Sequence, residues 1–236
     1  EIDTISDRKP DSAGLPEALK RELDEFLPTT EGPEDEIDRV PYEAVAGYVQ
    51  ELLAERGKGH REIDTWTGQK ITPADPHPQN IKLDDIAHGP SNFGRFAGQG
   101  PSMYSVARHS VHVSLEVEAR GGSLAAQRWG LLHDGAEAYL SDVPGPVKKS
   151  LPGYKNVEKR LDEVILTAMD LDLTEDEEEL VHDIADKVVG KHELSVQFPD
   201  GGHEEPGDLR HDPDTVDSGE DDKEQFLSRA RTLGLQ

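Results

Sequence analysis

Apolar residues recur at helical spacing through the central part of the chain. Between residues 81 and 194 they return every three or four positions, which is the period of an amphipathic helix. No alternating run typical of a strand interrupts this stretch. The pattern predicts an all-α helical bundle. A short predicted helix contains Leu83, Ile86 and Ala87, and longer ones cover 102–119, 124–140 and 154–169. A last core helix follows the cap Thr174 and buries Leu180, Ile184 and Val188.

The flanking segments are polar and rich in turn residues. Helical spacing returns only briefly, from Pro41 to Gly57 and again over 224–235. The Pro- and Gly-rich segment 66–80 predicts irregular structure with a short hairpin. The chain is therefore divided into an acidic N-terminal extension with one or two helices (1–65), a helical domain (66–197), and an acidic loop with a terminal helix (198–236).

Charge and composition narrow the classes of function. The chain carries 50 acidic and 25 basic residues, a formal net charge of −25, and the acids are spread along its whole length. This charge repels nucleic-acid phosphates and argues against a duplex-binding role. No apolar run approaches the roughly 20 residues of a membrane span, so no membrane partner is expected. The absence of cysteine excludes disulfides and thiol nucleophiles and fits a reducing cytoplasm, the location we expect.

Histidines and acids interrupt the apolar faces of the predicted helices at a few positions. They are His109, the adjacent pair His133 and Asp134, and Asp186. Imidazole and carboxylate together are ligands for divalent metals, and a buried aspartate rarely stands without a partner. A single buried histidine is nevertheless more often a hydrogen-bonded core residue. The residue types therefore leave both a metal site and a structural core open.

Two further carboxyl groups follow the histidine–aspartate pair. Glu137 lies four residues after His133, so a helix would place both side chains on one face. Asp142 comes just past the end of the predicted helix, before Pro144 and Pro146. A carboxylate fixed at a helix end is well placed to act as a general base or acid.

The order of these residues resembles the HD-domain metal-dependent phosphohydrolases, most closely the branch related to bacterial 5′-deoxynucleotidases. The segment from His133 to Lys148 resembles that branch's version of the motif, and the resemblance covers about Trp66 to Glu193. It implies an HD-type helical bundle with one divalent ion, which could be Mn, Co, Fe, Ni, Zn or Mg. The implied metal ligands are His109, His133, Asp134 and Asp186, with Asp183 as a nearby competitor for the last position.

The resemblance also implies roles in a reaction. Glu137 and Asp142 would hold or activate the attacking water, and Arg95, helped by Lys148, would bind the substrate phosphate. The expected partner is a nucleotide or another small phosphate ester, most simply a (deoxy)nucleoside 5′-monophosphate, and the related nucleotidases suggest a homodimer. Phe96 stands where the nucleotidase branch has tryptophan, which leaves nucleoside specificity open.

Other functions are compatible with the same residues. One is a regulatory module that binds metal and nucleotide with little turnover. Another is an HD phosphodiesterase or pyrophosphohydrolase that acts on a different nucleotide. A third is a helical protein whose histidines and acids are structural. Glu193, two turns after Asp186, is interpreted as one partner of a helix salt bridge.

The dispersed acidic charge generates the first prediction, an adaptation to high salt. We expect the free energy of unfolding to fall when KCl is lowered from molar to millimolar concentration, because screening of the self-repulsion is lost. Circular dichroism during the titration measures this. Equal stability in dilute buffer would instead identify an ordinary acidic protein with disordered termini.

Overall fold

The computed structural model describes residues 62–201, 207–216 and 221–236. These residues are mostly helical, which confirms the all-α class, and their one sheet is a two-stranded antiparallel ladder. The predicted helix between Pro41 and Gly57, and nearly all of the extension 1–65, lie outside the described residues. The elements are β1 (Ile63–Asp64), β2 (Lys70–Ile71), α1 (Leu83–Ser91), α2 (Val106–Ala119), α3 (Leu124–Leu132), α4 (Glu137–Leu140), α5 (Gly145–Lys148), α6 (Tyr154–Ala168), α7 (Glu175–Asp183), a π-helical segment (Ile184–Val189), α8 (Gly190–Gln197) and α9 (Asp222–Thr232).

Helix α2 lies at the centre of the bundle and packs most extensively against α3. Its side chains Val106, Val113 and Val117 are fully buried, as are Leu161 and Ile165 on α6. Burial of one such side chain contributes about 1.5–3 kcal/mol to folding. The predicted apolar faces of 102–119 and 154–169 are therefore the core faces of α2 and α6. A short hairpin is present as β1–β2, in which Ile63 pairs with Ile71, but its first strand precedes the segment 66–80 where the hairpin was expected.

Two predicted helices have different bounds. Helix α2 begins at Val106, not at residue 102, because Ser105 is extended and its side chain caps the helix by accepting from the Arg108 amide. The predicted continuous helix 124–140 is wrong, since α3 ends at Leu132 and a tight turn separates it from α4. In that turn the Gly135 amide donates to the Leu132 carbonyl at 2.7 Å.

The last core helix also differs from the predicted one. Thr174 caps it as expected, and Ile184 is buried. Leu180 is 38% exposed, however, and the buried positions are Val181, Ile184, Ala185 and Val189, so burial of Leu180 and Val188 was the wrong expectation. The π-helical segment adds residues to each turn and shifts which side chains face the core.

The terminal helix α9 packs against α2, α1 and α3. Phe226 and Ala230 are fully buried, and Arg229 donates to Ser114 Oγ on α2 at 2.9 Å. Asp222, at its first turn, accepts from Ser105 Oγ at 2.6 Å and so supports the start of α2. The end of the chain thus stabilises the helix that carries His109.

Helices α2 and α3 are in close contact at Gly130. A Cβ atom at this position would lie 3.1 Å from the Cα of Ser114 on α2, closer than side chains normally pack. Glycine at this position therefore sets the spacing between the helices that carry His109 and His133.

This contact generates the second prediction. We expect Gly130→Ala to lower the free energy of unfolding by about 1–3 kcal/mol, because the added methyl group overpacks the helix contact. Urea denaturation measures the change. Gly145→Ala is the matched control, since a Cβ there has no neighbour within 4 Å. Equal stability of the two variants would contradict this account of the spacing.

Candidate metal centre

Three of the predicted metal ligands converge at the break between α3 and α4. His109 comes from the second turn of α2, and His133 and Asp134 come from the tight turn itself. The Oδ2 atom of Asp134 lies 3.8 Å from His109 Nε2 and 3.4 Å from His133 Nε2. One ligand atom from each of the three residues lies within 4.8 Å of the others, so the cluster could hold one metal ion.

Hydrogen bonds orient both imidazole rings for ligation. His133 Nδ1 is 3.0 Å from the Gly130 carbonyl, and His109 Nδ1 is 2.8 Å from Glu193 Oε1. An acceptor at Nδ1 favours the tautomer with its proton there, which leaves the Nε2 lone pair for a metal. Burial lowers the pKa of His133 to about 4, so this ring is neutral at pH 7. The donor set therefore fits a divalent cation such as Mn, Co, Fe, Ni or Zn.

The cluster lies in the wall of a cavity of about 480 Å³. Six carboxyl side chains and only three cationic side chains line this cavity, so its walls are predominantly acidic. A volume of this size is within the range of small-molecule sites in proteins. The lining includes the ligand cluster and the following charged residues: Arg95, Glu137, Asp142, Lys148, Lys155, Glu158, Asp162 and Asp186.

Asp186 lines the cavity but is not one of the three clustered ligands. It is carried by the π-helical segment, a local distortion often found at functional sites. Its competitor Asp183 does not line the cavity and forms an ion pair with Lys187. The role of Asp186 as a fourth ligand remains a prediction.

Glu137 and Asp142 both face the cavity, as their positions near His133 suggested. Glu137 is 5% exposed, and its Oε2 atom has no hydrogen-bond partner among the described residues. Burial and the neighbouring Asp134 carboxylate raise the pKa of Glu137 to about 9. Burial also raises the pKa of Asp142, while the positive charge of Arg95 opposes the shift.

The two predicted phosphate-binding cations are paired with acids. Arg95 Nη1 lies 3.5 Å from Asp134 Oδ2, beside the ligand cluster. Lys148 Nζ lies 3.1 Å from Glu137 Oε1 and 2.6 Å from Glu158 Oε1. Both cations line the cavity within reach of a ligand bound there.

Strained backbone flanks the site. Phe96 and Ala97, which follow Arg95, have φ values of 58° and 53°, and Ser141, which precedes Asp142, has φ 67°. Such conformations are costly for residues with side chains and concentrate at binding sites. The Arg95 amide donates to the Tyr104 carbonyl at 2.8 Å, which ties the strained loop to the start of α2.

Two residues of the site were missed or misinterpreted in the sequence. Glu193 is 3% exposed and contacts His109 of α2 and Arg95 instead of forming the predicted salt bridge within its helix. Asp162 lines the cavity, and burial together with Glu158 raises its pKa to about 8. Asp162 lies among charged residues of α6, where no sequence signal distinguishes it. Glu193 lies seven residues after Asp186, a spacing that placed it on the face of Asp186 without revealing its partner.

Comparison with known proteins gives two relatives without an assigned function. The chain is 39% identical over 103 residues to the uncharacterized protein YfdR of Escherichia coli (strain K12), over 44% of this chain and 55% of the relative. It is 40% identical over 101 residues to the uncharacterized protein RCAP_rcc00048 of Rhodobacter capsulatus, over 40% of this chain and 51% of the relative. The matches span about half the length of these curated relatives. No protein-family model matches the chain.

No helix in the described part of the chain combines the length and apolar character needed to cross a bilayer.

The geometry of the cluster generates the third prediction. We expect Asp134→Ala to abolish binding of Mn²⁺ or Co²⁺ in calorimetric titration, because both imidazoles face this carboxylate. Loss of an outer-shell partner typically weakens metal binding by about 10–100-fold. If Asp186 is itself a ligand, Asp186→Ala should weaken metal binding by more than this. Asp183→Ala, a carboxylate one helical turn away outside the cavity, is the matched control. Full metal binding by the Asp134 variant would rule out the cluster as the site.

Proposed function

We propose that the protein is a metal-dependent phosphohydrolase that removes phosphate from a nucleotide, most simply a (deoxy)nucleoside 5′-monophosphate. The observation that carries the proposal is the position of the His109, His133 and Asp134 cluster in a cavity that also contains Arg95 and Lys148. A metal centre beside two phosphate-binding cations is suited to hydrolysis of a phosphate ester.

The charge of the cavity links metal binding to phosphate binding. Its six carboxyl groups outnumber its three cationic groups, so the walls alone would repel a phosphate. A bound cation reverses this field locally. The Arg95 guanidinium then offers a planar pair of donors to the phosphate oxygens. The acidic walls are consistent with an anionic substrate only when a cation is present.

The chain's own residues can perform the remaining steps. A divalent cation on the three ligands would supply a Lewis acid and lower the pKa of bound water. Burial and Asp134 raise the pKa of Glu137, and the positive charge of a cation on the cluster would lower it again. The deprotonated Glu137 could then accept the proton of the attacking water through Oε2, its buried oxygen without a hydrogen bond among the described residues. The proton can then pass to the nucleoside oxygen as its bond to phosphorus breaks. Asp142 is the second carboxyl group available for this transfer, and the products are a nucleoside and inorganic phosphate.

The fourth prediction concerns substrate and metal. We expect the protein in molar KCl to release inorganic phosphate from (deoxy)nucleoside 5′-monophosphates with Mn²⁺ or Co²⁺, and none with EDTA. A colorimetric phosphate assay on 5′- and 3′-monophosphates, cyclic nucleotides and triphosphates measures the preference. Turnover of cyclic nucleotides or triphosphates alone would identify another HD reaction, and binding without turnover would identify a regulatory module.

Arginine variants test the phosphate-binding step in the same assay. Arg95→Ala should reduce kcat/KM by about 10²-fold, because an electrostatic contact to the developing charge is lost. Arg160→Ala removes an arginine that pairs with Asp75 on the exposed surface and should leave kcat/KM unchanged. Equal activity of the two variants would contradict the role of Arg95.

A further inference from the structure

The most deeply buried acid beside the cavity is Glu193 of α8. Its Oε1 atom is 2.8 Å from His109 Nδ1 and accepts from the Tyr104 hydroxyl at 2.8 Å. Its Oε2 atom lies 3.1 Å from Arg95 Nε, an ion pair whose angle falls outside hydrogen-bond geometry. The Glu193 carboxylate therefore contacts both His109, the predicted metal ligand on α2, and Arg95, the cation next to the strained loop.

A buried carboxylate in these surroundings remains charged. The Arg95 guanidinium lies 3.1 Å from its Oε2 atom, and the Tyr104 hydroxyl and His109 Nδ1 both contact its Oε1 atom, so its partners favour the charged form. A charged acceptor holds the Nδ1 proton of an imidazole more firmly than a neutral one and makes Nε2 a stronger ligand. Glu193 does not itself line the cavity, so any effect on the reaction passes through its neighbours.

Arg95 has a second carboxylate within reach, and it belongs to the metal cluster. Its Nη1 atom lies 3.5 Å from Asp134 Oδ2, while its Nε atom faces Glu193. If Glu193 lost its charge, Asp134 would be the nearest remaining anionic partner of Arg95 among these contacts. The guanidinium would then compete with a cation for the same carboxylate.

We propose that Glu193 is a positioning residue that serves both halves of the site. It fixes His109 in the tautomer that ligates through Nε2. It also anchors the Nε side of Arg95, so that Asp134 is not the only carboxylate partner of the guanidinium and Arg95 stays where it meets phosphate. Tyr104 fixes the carboxylate through its second hydrogen bond. This inference rests on the proposed function, and it adds a link through which metal affinity and phosphate affinity change together.

Glu193→Gln tests the link because it keeps the shape and removes the charge. We expect the affinity for Mn²⁺, measured by calorimetry, to fall by about 10–100-fold. At saturating Mn²⁺ the Kd for inorganic phosphate should rise by about tenfold, equivalent to about 1.4 kcal/mol. The ¹⁵N shifts of His109 in the metal-free protein should change from the Nδ1–H form towards a mixture of tautomers, a readout independent of turnover.

The matched control is Glu116→Gln. Glu116, which lies on α2, is also a buried acid. Its Oε2 atom is hydrogen-bonded to His211 Nδ1 at 2.7 Å, and it does not line the cavity. Its substitution should lower stability and leave Mn²⁺ affinity and the His109 tautomer unchanged. If Glu193→Gln does not fold, the double variant Glu193→Gln/Arg95→Gln removes the unpaired cation, and it should bind Mn²⁺ more weakly than Arg95→Gln alone.

The outcomes separate this inference from the proposed function. A wild-type protein that binds Mn²⁺ but holds His109 as the Nε2–H tautomer overturns the inference alone. The same holds if Glu193→Gln binds Mn²⁺ and phosphate as tightly as Glu116→Gln. A wild-type protein that binds no divalent cation overturns both, whereas normal binding without phosphate release overturns only the proposed reaction.

Discussion

The concentration of carboxylates around Asp134 is the constraint on which the site depends. Glu137 and Glu193 are nearly as buried as the core, and Asp134 and Asp162 line the same cavity as Glu137. Water cannot screen these charges, so each needs a proton or a cation. Lys148 and Arg95 neutralise some of them, and the raised pKa of Glu137 shows that the compensation is incomplete. A divalent ion at the histidine cluster would supply the missing positive charge.

The fold brings these groups together through local departures from regular helix. The chain does not continue as one helix through 124–140. The break at 133–136 turns the side chains of His133 and Asp134 towards His109. The π-helical segment places Asp186 at the same cavity while Val181, Ile184 and Val189 remain in the core. The irregular backbone is therefore the means by which a simple bundle forms a polar centre.

The regular helices can be predicted from the sequence, but only some residues of the site can. Period-based reasoning predicts α2 and α6 because their buried faces repeat at fixed spacing. It does not predict the break or the π-helical segment, which depend on close packing at Gly135 and on tertiary contacts. His109, His133 and Asp134 can be recognised from their order along the chain. The place of Glu193 beside the site cannot, because it depends on contacts with residues 84 and 98 positions away, His109 and Arg95.

A protein with a net charge of −25 is compatible with an anionic substrate only if the charge of its surface and the charge of its cavity act over different distances. Charge on the outer surface is screened within about 8–10 Å in physiological salt, and over a shorter distance in molar KCl. The field inside the cavity is set by groups a few ångströms apart and is screened far less. For the proposed phosphate ester, an acidic exterior would therefore have little effect in high salt, whereas the balance among Asp134, Arg95 and Glu193 would decide the affinity. The same balance is the physical basis of the proposal that one buried carboxylate, Glu193, influences both metal and phosphate without touching either.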